Sequence, residues 1–457
     1  MLFSSITFLF YFLPILLIIY FIVPKKFKNL VLFIFSLFFY FYGEPKYGFL
    51  LLLSCVINHI MGSLIDKHRK YGKIFLIIAL VYDIGSLLYF KYLDFFIENI
   101  NNIFKSEIPL FHIIMPIGIS FFTFQTISYV VDIYNKKVEP SKSFLNFATY
   151  VCLFPQLVAG PIVRYETIAS ELKNRESNFD TFALGVKRFT IGLAKKVLIA
   201  NLLGEMCTSL ASLSNGSVMS YLLGAVGYTL QIYFDFSGYS DMAIGLGLFF
   251  GFHFLENFNY PLIASSITDF WRRWHISLSS FFRDYVYIPL GGNRVSLLKW
   301  IRNIFIVWFL TGFWHGASWN FILWGLYFAS FLVLEKKIYG KYLNNTKVFK
   351  YIYTIILVVI SFVIFNSQSL NDIKIFLSSM FGLNNLPLIN NETLYYIRSY
   401  LVLLIIAIIA STPLLKVIGN KLKKLEFLEP VIYIGIIILV TAYLVDTSFN
   451  PFLYFRF

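Results

Sequence analysis

The chain has 457 residues, of which 58% are hydrophobic, 20% aromatic and only 14% charged, with a mean hydropathy of +0.73. Soluble domains usually carry roughly a quarter charged and just under half apolar residues, so lipid must solvate most of this chain and a soluble globular enzyme is excluded. The net charge of +14 does not mark a nucleic-acid binder, because the basic residues fall in short clusters between apolar runs rather than on one soluble face.

A membrane-crossing helix needs about 20 mainly apolar residues. Eleven or twelve segments answer to that, near 4–23, 29–42, 48–65, 74–91, 112–131, 185–210, 219–247, 303–315, 318–334, 351–366, 398–415 and 430–447. The first lacks a basic start and a small-residue cleavage site, so it reads as a retained span rather than a signal peptide. Another apolar piece, 144–162, contains Pro155, Gly160 and Pro161. It reads as re-entrant or interfacial, since broken backbone at membrane depth has to be buried in protein. No repeat or linker divides the sequence, so the expected fold is all-α and polytopic, a single integral-membrane domain over 1–457.

Cytoplasmic loops collect Lys and Arg. Lys25, Lys26 and Lys28 follow the first span, Lys67, Arg69, Lys70 and Lys73 the third, and Lys136 and Lys137 the fifth, which places the N-terminus and the 92–110 loop outside. Lys336, Lys337 and Lys341, then Lys416, Lys421, Lys423 and Lys424, continue the alternation, putting the C-terminus outside if all twelve segments cross. Segments 185–210 and 303–334 also read as tilted half-spans, which changes that parity. Cys55, Cys152 and Cys207 stand apart with no C-x-x-C spacing and read as packing residues.

The connection NFNYPLIASSITDFWRRWHISLSSFFRDYVYIPLGGNRVSLLKW is dense in aromatics, arginine and turn residues. Ser266 with Asp269 three residues on resembles a helix N-cap pair, and the helix it opens is expected to carry Trp271, Trp274 and His275 on one face. Arg272, Arg273 and Arg283 then lie near the cytoplasmic surface, with Asp284 and Asn293 in the same stretch, and Pro289, Gly291 and Gly292 close it with a loop. The arginines have two readings: bidentate recognition of a cofactor phosphate, or positive-inside anchoring.

His315, beside Trp314 in WFLTGFWHGASWNFILW, is the one ionisable residue of that apolar run. An ionisable group inside a membrane segment is a functional-site hypothesis by default, and a neutral imidazole suits general-base work near neutral pH. The plain alternative is a core histidine bonded to a neighbouring helix. Gly312, Gly316 and Ala317 are expected to leave room for a substrate. His275 reads either as catalytic or substrate-binding, or as a helix cap. Asp235 and Asp241 lie in an apolar segment, where carboxylates need partners; they read as structural pairs with buried arginine or tyrosine, or as a proton relay. No Cys, Asp or Glu stands at ligand spacing near His315, so no metal is expected.

PIGISFFTFQTISYVVDIY, FPQLVAGPIVR, DFSGYSDMAIGLG, LENFNYP, DFWRRWHISLSSFFRDYVYIPLGGNR and FWHGASWNFILWG occur in that order. Together they resemble the membrane-bound O-acyltransferase family, in its alginate O-acetylation branch, over about residues 110–335, with a familiar PFLYFRF ending. Leu255 before Glu256 is a mild departure from the branch's PENFN, and YIPLGGNR follows the polysaccharide-acetylation pattern rather than the D-alanine-exporting one. The resemblance implies helices ringed around a central cavity in the bacterial inner membrane. It implies His315 as the catalytic residue and His275 as the second important histidine. It further implies acetyl-coenzyme A or another acyl thioester as co-substrate, a polysaccharide acceptor outside, and an extracytoplasmic acyltransferase partner of the SGNH type. D-alanyl or other acyl export to a cell-wall polymer is the nearest alternative; a proton-coupled transporter and a non-catalytic export scaffold are the rivals from other classes.

Overall fold

A computed structural model describes residues 1–421, 427–446, 450 and 453, all in helices, turns and loops with no strand among them. Lys423, Lys424 and, Leu453 apart, the PFLYFRF ending lie outside the described residues. In chain order, α1 (Phe8–Ile22), α2 (Lys25–Gly43), α3 (Gly48–Lys67) and α4 (Arg69–Phe104) come first. They are followed by α5 (Ile119–Tyr134), α6 (Phe144–Cys152), α7 (Phe154–Leu157), α8 (Tyr165–Lys173), α9 (Phe179–Ala194), α10 (Leu202–Ala211) and α11 (Val218–Phe249). Two short helices, α12 (Ile267–Arg273) and α13 (Ile276–Phe282), precede α14 (Leu297–His315), α15 (Trp319–Leu334) and α16 (Phe349–Asn366). α17 (Leu370–Met380), α18 (Asn391–Ala410), α19 (Leu414–Lys421) and α20 (Glu429–Asp446) complete the series.

Among the described residues, α2, α3, α4, α14, α16, α18 and α20 are the seven helices long and apolar enough to cross a membrane, and α1 is a shorter apolar helix. The chain is therefore a multi-pass membrane protein, as its composition requires. The segment expected at 112–131 becomes helical only at Ile119. The one at 185–210 runs as α9 through a π-helical stretch, Lys195–Asn201, into α10. The 92–110 stretch, expected as a loop, is largely the second half of α4. Leu93, Phe96, Ile97, Ile100, Ile103 and Phe104 recur there at helical spacing.

The interrupted piece at 144–162 breaks at Leu153, with Pro155 in the first turn of α7. Pro is tolerated there because its missing N–H has no intrahelical partner to lose. The whole piece is buried from Phe147 onward. Cys55 and Cys152 are buried free thiols, their Sγ atoms lying 3.7 Å from each other.

Two compact units divide the chain, Met1–Phe189 with Tyr239–Leu255, and Thr190–Gly238 with the chain from Glu256 onward. In the first, Phe3, Phe8, Phe12, Phe39 and Phe154 pack ring on ring. Arg175 ties that unit together by donating to Tyr20 Oη at 3.1 Å, Phe250 O at 2.9 Å and Asn29 Oδ1 at 2.6 Å. In the second, Phe270, Trp271, Trp274, Trp308, Trp324, Phe328, Phe362 and Phe365 form one aromatic core.

Helices α14 and α15 make a close hairpin inside the second unit. A Cβ at Gly312 would fall on the carbonyl oxygen of Phe321, and one at Gly325 on that of Trp308. Small residues of this kind let helix backbones approach. Gly312→Ala and Gly325→Ala are each expected to destabilise by about 1–3 kcal/mol, read as a lower thermal midpoint in detergent. An unchanged midpoint in both would contradict the hairpin.

Candidate active site

The side chains with chemical potential in the second unit come from four local structures. Ser266 caps α12, its Oγ accepting from Asp269 N at 3.0 Å, as expected. A second cap comes from the end of α15, where the Glu335 carboxylate accepts from Ile267 N at 2.7 Å and from Thr268 N at 3.1 Å. A carboxylate there both satisfies orphan donors and complements the positive helix terminus. Glu335 was not singled out from sequence, because it is distant in the chain from the helix it caps.

Trp271, Trp274 and His275 do not share one helical face, contrary to expectation. The helix ends at Arg273 and Trp274 is extended. His275 then takes a left-handed backbone conformation, φ 45° and ψ 55°, and α13 begins after it. Left-handed conformations are costly for non-glycine residues and concentrate at functional sites. The LENFNYP segment supports the turn by two backbone bonds, Ile276 N to Asn257 O at 3.0 Å and Asn259 N to Arg273 O at 2.9 Å.

His275 is fully buried at 0% exposure. Its ring meets Phe236 edge-on at 4.7 Å and Trp314 at 5.9 Å. Trp314 in turn lies 4.9 Å from the His315 ring. One indole therefore touches both imidazoles that the sequence singles out. Burial pushes His275 down to about 3, so it is neutral across the physiological range.

His315 is the last residue of α14, and the following Gly316 is extended. The imidazole is 3% exposed and is held edge-on by Trp324 at 5.0 Å and Phe365 at 5.2 Å. Asn320 Nδ2 donates to Phe365 O at 3.0 Å, which ties the start of α15 to the end of α16 beside that ring. The space expected beside Gly312 and Gly316 is occupied: the Phe321 ring and backbone pack against them. Their smallness serves helix contact. Trp324 and Phe365 were missed from sequence, where an aromatic among aromatics carries no signal.

The remaining sequence candidates divide by what they touch. Arg273 donates to Asp269 Oδ1 at 2.9 Å, and Arg283 forks onto its neighbour Asp284 at 2.7 and 3.2 Å. Arg272 and Asn293 are exposed. Asp235 pairs with Lys196 at 2.6 Å, where arginine or tyrosine was expected. In the first unit, Asp241 pairs with Arg188 at 2.7 Å.

The His315 imidazole is thus buried between aromatic rings at the turn of a hairpin of two apolar helices. Residues 119–376, more than half of the chain, match the sequence profile of the membrane-bound O-acyltransferase family. The chain belongs to that family. It is 43% identical to a probable alginate O-acetylase of Pseudomonas aeruginosa over 81% of this chain and 73% of that protein. It is 37% identical to a peptidoglycan O-acetyltransferase of Helicobacter pylori over 85% of this chain and 81% of the relative. A teichoic acid D-alanyltransferase of Bacillus subtilis is 28% identical over 60% of this chain and 78% of its own length. The chain is a membrane-bound O-acyltransferase, and its matched region contains every histidine and tryptophan of the site just described.

The acyltransferase should show its buried second histidine in a stability profile. His275 has a folded pKa below its unfolded value, so below about pH 6.5 the unfolded chain binds the extra proton and stability falls with pH. Against His275→Gln, wild type is expected to lose about 2 kcal/mol between pH 6.5 and 5. The readout is the difference of thermal midpoints in detergent, which narrows or reverses on acidification. A difference independent of pH would contradict the buried neutral imidazole.

Proposed function

We propose that this acyltransferase takes an acetyl group from a cytoplasmic thioester, acetyl-coenzyme A, and passes it to an oxygen nucleophile for O-acetylation of an extracytoplasmic polysaccharide. His315 is the general base and His275 the second histidine of the site. The observation that carries this reading is the His315 imidazole, buried on the α14–α15 hairpin and sharing Trp314 with His275. The acceptor oxygen attacks the thioester carbonyl carbon as His315 takes the hydroxyl proton. The carbon–sulfur bond then breaks and the imidazolium returns the proton to the departing thiolate, so ester and free thiol are the products. Holding both reactants in place contributes several kcal/mol of the barrier, and the general base about 10²- to 10⁴-fold more.

The choice of acetyl and of a glycan acceptor is supported by two of the relatives, the probable alginate O-acetylase and the peptidoglycan O-acetyltransferase. Arg272, Arg273 and Arg283 are the side chains assigned to the coenzyme phosphates, with Trp271, Trp274, Asp284 and Asn293 from the same stretch of sequence as further candidates. We place the protein in the bacterial inner membrane, with an extracytoplasmic SGNH-type acyltransferase completing the modification. The transporter alternative needs His315, Asp235 and Asp241 as a relay, and both carboxylates are held in ion pairs.

The test is purified protein in bilayers with acetyl-labelled coenzyme A. Free thiol is expected to appear on addition of the glycan and its partner enzyme, with label recovered as alkali-labile ester. Export of label without thioester cleavage, or no consumption of the thioester, would overturn the reading.

A further inference from the structure

We infer that Asn257, in the LENFNYP segment, is a positioning residue that fixes His275 in the tautomer with its hydrogen on Nδ1, leaving the Nε2 lone pair for the transfer chemistry. The inference rests on the proposal that His275 belongs to the active site. It starts from one oxygen. Ser277 N lies 3.1 Å from Asn257 Oδ1 and Ser277 Oγ lies 2.9 Å from it. A backbone N–H only donates, so the atom it meets must be the amide oxygen, and the orientation of the Asn257 amide is determined by chemistry. His275 Nδ1 approaches that same oxygen at 3.2 Å. The oxygen has no hydrogen to give, so the hydrogen between them belongs to Nδ1. A neutral imidazole carries one hydrogen, and Nε2 is then the acceptor.

Ser277 Oγ also reaches Nδ1, at 3.5 Å, but lies 2.9 Å from Asn257 Oδ1, so the hydroxyl hydrogen goes to the oxygen and Nδ1 keeps its own. Asn257 and His275 are both 0% exposed, so bulk water does not compete for either. Asn257 Nδ2 has no hydrogen-bond partner among the described residues, so the three donors at its oxygen alone hold the amide. The main chain of the same residue accepts from Ile276 N at 3.0 Å, which clamps the left-handed turn at His275 from the side that carries the amide. One residue thus sets both the backbone position of the imidazole and its proton. A hydrogen-bond partner behind a working histidine that selects its tautomer is a recurrent device, and its loss is costly.

The experiment is solid-state nitrogen NMR of the full-length protein in bilayers with labelled histidine, the His275 signals assigned by their loss in His275→Gln. Wild type is expected to show a protonated Nδ1 and an unprotonated Nε2. Asn257→Leu, similar in shape but with no acceptor, should release the hydrogen from Nδ1 and lower kcat at least about tenfold, with KM for the thioester little changed. Asn257→Asp retains an oxygen for the same three donors, so Nδ1 should stay protonated there. A wild-type spectrum with the hydrogen on Nε2 would overturn the inference, and this decides it even if the leucine variant fails to fold. So would an unchanged tautomer in Asn257→Leu. Full turnover in His275→Gln is a different failure: it removes His275 from the site while leaving the tautomer as measured.

Discussion

His315→Ala is expected to lower thioester turnover by about 10²- to 10⁴-fold, the span that general-base help contributes, with the protein still folded. The imidazole ends α14 and is surrounded by Trp314, Trp324 and Phe365, so alanine leaves an internal cavity whose cost is stability rather than chemistry. His315→Gln separates the two effects, because it fills the space and bonds without serving as a base near neutral pH. Both variants should lose turnover alike, with the glutamine form closer to wild type in thermal midpoint. Turnover above a tenth of wild type in His315→Gln would assign the proton to another group.

The second large effect is expected at Lys196 and Asp235. Their charged groups lie 2.6 Å apart with both side chains 3% exposed, and Asp235 Oδ2 also accepts from Leu453 N at 2.9 Å. Removing one partner strands a buried charge, which typically costs 3–5 kcal/mol, whereas exchanging both for apolar residues is often neutral. Lys196→Met and Asp235→Leu should each lower the thermal midpoint sharply, and the double variant should recover most of the loss. The recovery is incomplete because Leu453 N loses its acceptor when Asp235 is replaced. Single variants no less stable than the double would mean that the pair is not buried as described.

Much of this was legible in the sequence, and the rest was hidden for physical reasons. Composition alone gives a helical multi-pass protein, because lipid leaves the backbone few other ways to satisfy its hydrogen bonds. The N-cap at Ser266 was readable because a cap is local: residues three apart make it. The turn at His275 was not. WRRWHIS carries no glycine or proline, and the left-handed backbone there is imposed by contacts from Asn257, 18 residues away in the chain. The same holds for Glu335 at the start of α12, 68 residues from Ile267. The 92–110 stretch was misassigned for a simpler reason: the apolar run ends at residue 91, and only the helical spacing of Leu93, Phe96, Ile97 and Ile100 carries the helix further. Glycines misled in another way. Space beside Gly312 in the sequence is space for Phe321 in the fold.

The function class rests on different footing from the site. Family membership follows from a match over more than half of the chain, while the roles proposed for His315, His275 and Asn257 rest on burial, ring contacts and one determined amide. The most direct test of the central claim is a structure of the protein with a non-reactive thioether analogue of acetyl-coenzyme A and a glycan fragment bound. One nitrogen of His315 is expected within hydrogen-bond reach, about 2.6–3.2 Å, of the acceptor hydroxyl oxygen, with the acyl carbon beyond that oxygen. A donor and acceptor that meet elsewhere, with His315 touching neither, would contradict the account.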